Sequence, residues 1–333
     1  MINSVRLGRG LRCWRAAALA AVAAVQAFLG SGYGAVAQRA ETIHLVVPLP
    51  AGGAADILAR ILSEQIGRSS GPQLIVENRA GASSIVGTEA VARAPPDGNT
   101  LLLNGPYMLI APRVRKVSYD PLTSFEPLCK LVSSPGIIAV NGASSYRSLM
   151  DLLAAARARP GQLTFGSVGP ATAQHLGFEK LRRAAGTDLT YIPYAGGAPA
   201  INDLLGGHIT AVFAEYAPLA SHLQAGTLRA LATSSAKRLS LLPELPTVAE
   251  TGFPGYEVDL WWGLFAPAKT PQPTLAQLSA RFSRAIADPE IEPKLTKLGF
   301  AVAGVCGADF AAILRRQYDE YGKILGDAAI RTE

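Results

Sequence analysis

Charge is scarce in this chain: Asp, Glu, Lys and Arg make up 17% of its 333 residues, against 49% hydrophobic ones. That balance excludes intrinsic disorder, and the length leaves room for two packed domains in a soluble globular protein. The formal charge of +6 is concentrated at the N-terminus, in Arg6, Arg9, Arg12 and Arg15. Without them, 27 basic residues face 25 acidic ones, a balance of +2. Such a body offers no phosphate-tracking surface, which excludes nucleic acid as a partner. Cysteine is equally sparse, with three in all. Cys13 lies in the N-terminal segment, and Cys129 and Cys306 are too few for a disulfide scaffold. Each sits in an apolar, strand-like stretch, so buried free thiols are the expectation, with pairing in an oxidising compartment left open. There is no C-x-x-C and no H-E-x-x-H, and the four histidines are scattered. No metal site and no cofactor is expected.

Long apolar runs are also rare. The run Ala16–Gly30 follows the four arginines and leads into Ala35-Val36-Ala37. Its 15 residues would rise about 22 Å as a helix, short of the roughly 20 residues that span a bilayer. A basic segment, a short apolar core and an A-x-A end predict a secretory signal at residues 1–37, cleaved after Ala37. The mature chain from Gln38 is then expected to be monomeric and soluble outside the cytoplasm.

The remainder alternates short β-branched or apolar runs with longer helical patterns, the signature of α/β architecture with largely parallel sheets. Strands are predicted at 43–47, 74–77, 100–103, 136–140, 163–165, 189–192, 209–213, 228–233 and 300–302. In the segment 56–66, Ile57, Leu58, Ile61, Leu62 and Ile66 share one helix face. Further helices are predicted at 148–159, 173–185, 198–205, 273–287 and 308–325. Pro-rich passages at 119–135 and 241–254 divide the chain. One domain is therefore expected to combine residues 38–135 with 256–333, and a second to hold residues 136–255. The two crossings would form a hinge suited to closing on a ligand.

Three strand-to-helix turns are rich in glycine and small residues: Pro48–Asp56, Phe165–Ala173 and Pro193–Pro199. At the carboxyl ends of strands, helix N-termini present unpaired N–H groups and a partial positive charge, which suits an anion. Glycine lets the backbone approach a ligand, and Ser167 and Thr172 add hydroxyls. The rival reading is that these are ordinary cap and turn residues. Asp56 is expected to cap its own turn rather than face an anion. Glu215 follows a strand and is a candidate to accept from a ligand amino or hydroxyl group. Asn104 and Tyr107 end another strand as weaker candidates, and His175 reads as packing. Trp261 and Trp262 offer aromatic stacking, but their place in a crossing strand favours hinge packing.

Enzyme templates fail. Gly166-Ser167-Val168-Gly169 has Phe165 where G-x-S-x-G needs its first glycine. Neither G-x-x-x-x-G-K-[ST] nor G-x-G-x-x-G with an acidic residue about 20 positions on is present. An exported α/β enzyme acting on a small organic acid remains as an alternative without named catalytic residues.

Six runs then match a known pattern: VPLPAGGAADILAR (47–60), VENRAGA (76–82), PDGNTL (96–101), PYAGGAPA (193–200), LPELPTVAE (242–250) and WGLFAP (262–267). In order and spacing they resemble the Bug-type receptors, the extracytoplasmic solute-binding proteins of tripartite tricarboxylate transporters. The resemblance covers essentially the whole mature chain. It implies an α/β, two-domain periplasmic-binding-protein fold of type II, a flytrap with two crossing strands. It also implies a small carboxylate ligand and integral membrane permease subunits as partners, or alternatively a membrane sensor to which the ligand-bound form is presented. Carried over onto this sequence, the first-domain loop would be Ala51, Gly52, Gly53 and Ala54, with Asp56 supporting it. The second-domain wall would be Ser167, Gly169, Thr172, Tyr194, Gly196, Gly197, Ala198 and Glu215. The chain departs from the family pattern at Ser83-Ser84, where a glycine pair is usual, at Ala195, where lysine is common, and at Asn99, where an aromatic residue is usual.

Overall fold

A computed structural model describes residues 42–69, 71–170 and 172–328, and the expected signal segment lies outside them. The described residues group as one compact unit built on two mixed sheets. Among the described residues no helix is long and apolar enough to cross a membrane.

The first sheet begins with β1 (Thr42–Val47), helix α1 (Ala54–Arg68), β2 (Gln73–Asn78), α2 (Ile85–Ala92), β3 (Thr100–Asn104), α3 (Tyr107–Val114) and β4 (Phe125–Ser134). The chain then enters a second sheet through β5 (Gly136–Asn141), α4 (Leu149–Ala158), β6 (Thr164–Val168), α5 (Ala173–Ala184), β7 (Thr190–Tyr194), α6 (Gly197–Leu205), β8 (Ala211–Glu215), α7 (Tyr216–Gln224) and β9 (Leu228–Thr233). It returns through β10 (Leu260–Pro267) and finishes with α8 (Gln272–Ile286), α9 (Glu292–Lys297), β11 (Ala301–Cys306) and α10 (Gly307–Ala328).

The strand orders are β11-β4-β10-β3-β1-β2 and β7-β6-β8-β5-β9. β1 runs parallel to β2 and β3, and β6 runs parallel to β7 and β8. The crossing strands break the expected parallel pattern. β10 is antiparallel to both β3 and β4, and β5 is antiparallel to β8 and β9. Both faces of each sheet are covered, so strands read as continuous apolar runs. Leu45 and Val47 pack against Leu58, Leu62 and Phe282 on one face, while Val46 joins Trp261, Phe265 and Phe310 on the other. In the second sheet Ile138 and Val140 face α4 and α5, and Ile137 and Ala139 face α6 and α7.

The chain passes between sheets at Pro135, whose carbonyl accepts the Tyr216 N–H at 2.9 Å. The return passage lies beside it: Val258 N–H donates to the Ser234 carbonyl, and Ser234 N–H to the Gly136 carbonyl. β4 falls inside the passage expected as a Pro-rich divider. Pro127 is carried there opposite Phe265, beside a register shift between Leu264 and Phe265 that tolerates a residue without an N–H.

Cys129 and Cys306 correct the expectation of free thiols. They face each other across β4 and β11 and form a disulfide with a sequence separation of 177. Proximity in the sheet, which the linear sequence hides, brings them together.

Candidate functional site

Five strand ends converge where the two sheets meet. The carboxyl ends of β1, β3, β6, β7 and β8 each lead into a helix, namely α1, α3, α5, α6 and α7. Residues at the start of all five helices line one cavity: Gly53 and Ala54, Tyr107, Gln174, Gly196 and Gly197, and Glu215 with Pro218. Leu49, Pro50, Val168, Ala214 and Trp262 complete it. No Lys, Arg or His is among these residues.

The N-termini of α1 and α6 have glycine caps, Gly53 and Gly196, and receive no side-chain cap hydrogen bond. Their leading N–H groups are therefore open to a ligand, whereas Thr172 already spends its hydroxyl on α5 by accepting the His175 N–H at 3.1 Å. The same hydroxyl donates to the Val168 carbonyl at 3.1 Å.

The polar floor is formed by four side chains. Gln174 Nε2 donates to the Tyr107 hydroxyl at 2.8 Å, and Trp262 Nε1 donates to Glu215 Oε2 at 2.8 Å. Tyr107 stacks on Trp262 with centroids 5.7 Å apart. Gln174 Oε1 is buried without a partner. Burial pushes the Glu215 carboxyl up to about 7, against the Ser134 hydroxyl and the Trp262 N–H, which favour its charge. Ser134 Oγ lies beside Glu215 but falls short of proper hydrogen-bond geometry. The Tyr107 hydroxyl is raised by burial and then by the Glu215 charge.

The remaining sequence candidates take other places. Asp56 Oδ2 accepts from Gly52 N–H and Arg60 Nε, both at 2.9 Å, which fixes the first loop. Its burial opposes ionisation, but the Arg60 guanidinium and the Gly52 N–H outweigh it and hold the carboxyl below its ordinary range. Asn104 is buried between Thr88 Oγ1 and Gly105 N–H. Ser167 bonds to the Val168 carbonyl and the Tyr191 hydroxyl. Tyr194 donates its hydroxyl to Asp203 at 2.7 Å. Ala51 and Gly52 are exposed on the loop, while buried Gly169 and half-buried Ala198 are outside the cavity lining.

Several of these glycines mark where one sheet's loops touch the other's. A Cβ on Gly196 would stand 2.8 Å from Pro50 Cδ, and one on Gly169 would stand 2.8 Å from Ser83 Oγ. A Cβ on Gly52 would stand 3.5 Å from Ala198 Cβ. Opposing Ser83 belongs to a loop in which Ala82, Ser83 and Ser84 all have positive φ (47°, 54° and 83°), a conformation that favours glycine. The Ser84 hydroxyl is buried there without a partner. The loops meet so closely that the cavity volume is only about 20 Å³, room for roughly one water. A small organic acid enters only if the loops separate.

Two larger grooves lie away from the strand ends. One of about 610 Å³ runs between α5, the return passage and α10, and one of about 530 Å³ lies between α8 and α10. The larger includes the start of α5 at Ala173 and the smaller the starts of α8 and α10 at Gln272 and Gly307, but neither gathers the five strand ends, so size does not select the site. Among the described residues no cluster of His, Cys, Asp or Glu suits a metal ion.

Sequence reasoning set aside two of the lining aromatics, treating Tyr107 as a weak candidate and Trp262 as hinge packing, and it did not consider Gln174. The one available signal was position: each follows or crosses a strand end.

Comparison with known proteins gives a consistent picture. Residues 58–329 match the model of the tripartite tricarboxylate transporter family receptor. A UPF0065 protein from the tcbD-tcbE intergenic region of Pseudomonas sp. strain P51 is 36% identical over 288 residues, 85% of each chain. The solved structure of the periplasmic binding protein BugD has a TM-score of 0.84 at 32% identity, covering 88% of this chain and 99% of its own. R. palustris Rpa4515, solved with adipate, has a TM-score of 0.84 at 30% identity, covering 87% of this chain and 98% of its own.

Proposed function

The chain belongs to the tripartite tricarboxylate transporter receptor family, and from that premise we propose that it captures a small carboxylate between its two sheets and delivers it, in the periplasm, to an integral membrane permease. The lobes are residues 38–135 with 256–333, and residues 136–255. The observation that carries this reading is the cavity at the five strand ends, where α1 and α6 present uncapped N-termini and no basic side chain intervenes. Each such terminus contributes about 0.3–1 kcal/mol toward an anion when exposed and up to about 2 kcal/mol when partly buried. Two or more acting on one carboxylate hold it without arginine. Closure strips water from the contact and strengthens each hydrogen bond. The adipate bound to Rpa4515 is consistent with a ligand of this class. The protein is a receptor rather than an enzyme, so it returns its ligand chemically unchanged.

The test is thermal unfolding of the chain from Gln38 against mono-, di- and tricarboxylates, with neutral analogues as controls. A ligand at 1,000 times its Kd adds about 4 kcal/mol and raises Tm by several degrees. The reading stands if one acid does so and mass spectrometry recovers it intact. It fails if only neutral analogues act, or if the acid is consumed.

A further inference from the structure

Glu215 is the one feature of the cavity that a carboxylate receptor does not obviously want. It is buried at the end of β8, on the cap position of α7, and it lines the space where the ligand must go. Only Trp262 gives it a hydrogen bond among the lining side chains, and that bond uses Oε2. The elements packed around it contribute no countercharge. β10 supplies Trp262, β4 supplies Ser134, α5 supplies Gln174, and α3 supplies Tyr107, whose hydroxyl burial keeps neutral. The loops before α1 and α6 supply Leu49, Pro50 and glycines. Asp56 and Arg60 are engaged with each other on α1, and Asp203 with Tyr194. An ionised Glu215 beside a bound carboxylate would place two like charges in a dry site without a cation.

We propose that Glu215 joins the ligand complex as the neutral acid, donating a hydrogen bond to the carboxylate, so that capture by the ionised form takes up one proton from the buffer. This rests on the receptor reading above. In that state one Glu215 oxygen still accepts from Trp262, the other carries the proton, and the Tyr107 hydroxyl, which accepts from Gln174, keeps its own hydrogen to donate. The floor becomes a set of donors suited to an anion. The carboxyl's raised value, about 7 in the free protein, means the required proton is half in place at neutral pH.

The experiment titrates adipate, and any other acid that raises Tm, into wild type and E215Q by calorimetry between pH 6 and 8, in buffers of different ionisation enthalpy. Wild type is expected to bind about tenfold more weakly at pH 8 than at pH 6, with close to one proton taken up per ligand at pH 8. E215Q, a permanent donor, is expected to bind at pH 8 about as wild type does at pH 6, with no proton uptake. An independent readout needs no ligand. The folded carboxyl value lies above the ordinary 4.5, so the folded state holds a proton that the unfolded chain has lost between about pH 4.5 and 7. Wild-type Tm should therefore fall relative to E215Q across that window and run parallel to it above. Binding without proton uptake, or a Tm difference flat from pH 4.5 to 7, overturns this proposal and leaves the receptor reading standing. Failure of every acid to bind, with the Tm difference still sloping, overturns the receptor reading instead.

Discussion

Gly196 offers a direct test of whether the two sheets must close as far as the structure has them. Its φ of −176° is extended backbone that any residue adopts, so alanine there introduces no local strain. The cost arises across the cleft. The new Cβ would stand 2.8 Å from Pro50 Cδ and 3.1 Å from Cγ, where carbon atoms prefer about 3.5–4.0 Å. Relief requires the loops to separate by somewhat under 1 Å, or the closed state bears an overpacking cost of about 1–3 kcal/mol. Because opening removes the clash, Gly196→Ala should leave the Tm of the free protein close to wild type. Ligand affinity should fall about 5- to 150-fold, the equivalent of that cost. Pro50→Ala deletes the two clashing carbons, so the double variant should recover most of the loss. Calorimetric titration of all four proteins with a common carboxylate closes the cycle. Unchanged affinity in Gly196→Ala, or a double variant no better than the single, would show that this contact is not remade around the bound ligand.

Three further outcomes are expected. Ser84→Gly removes both a positive-φ side chain and an orphaned buried hydroxyl, and should stabilise by about 1–2 kcal/mol after glycine's greater unfolded-state freedom is deducted, as read from urea midpoints; destabilisation would mean that the hydroxyl has a partner in solution. Removing the disulfide by Cys129→Ser with Cys306→Ser should cost about 2–4 kcal/mol, and equal denaturant midpoints for the double variant and the oxidised protein would show the bond absent. Gly53→Asp has room for its Cβ, the nearest atom being the Pro50 carbonyl oxygen at 3.7 Å, and aspartate is a favourable helix cap. Its Tm should hold or rise while carboxylate affinity drops at least about tenfold through like-charge repulsion, and an unaltered Kd would move the site elsewhere.

How much of this was legible beforehand depended on whether the information was local. The loop before α1 announced itself, because proline, paired glycines and an amphipathic helix are adjacent in sequence. Glu215 was visible as a carboxylate at a strand end. Ser167 and Thr172 resembled ligand donors because hydroxyls near glycine suit that role, yet their hydrogen bonds go to the Val168 carbonyl and neighbouring groups. Tyr107, Gln174 and Trp262 reach the cavity from elements distant in sequence, and only the packing of two sheets brings them together. β4 was obscured by Pro127, a poor strand residue that a register shift accommodates. The short α2, with Ile85, Val86, Val91 and Ala92 around a central glycine, lacks a clear apolar face. The interlobe role of Gly169 and Gly196 left no mark in sequence distinct from a ligand-cradling one.

The strand orders carry a consequence for the sequence of events during synthesis. All five strands of the second sheet lie between residues 136 and 233, so that sheet can assemble as soon as its own stretch of chain is free. The first sheet cannot. β10 separates β3 from β4, and β11 is pinned to β4 by the disulfide, yet both arrive only after the second sheet is complete. The half of the molecule that starts first must finish last, holding β1–β3 as an unclosed fragment in the meantime. Pulse-labelled hydrogen exchange during refolding should accordingly protect Ile138 and Val212 before Leu264, and the reverse order would show that the two halves do not fold as the chain's layout dictates.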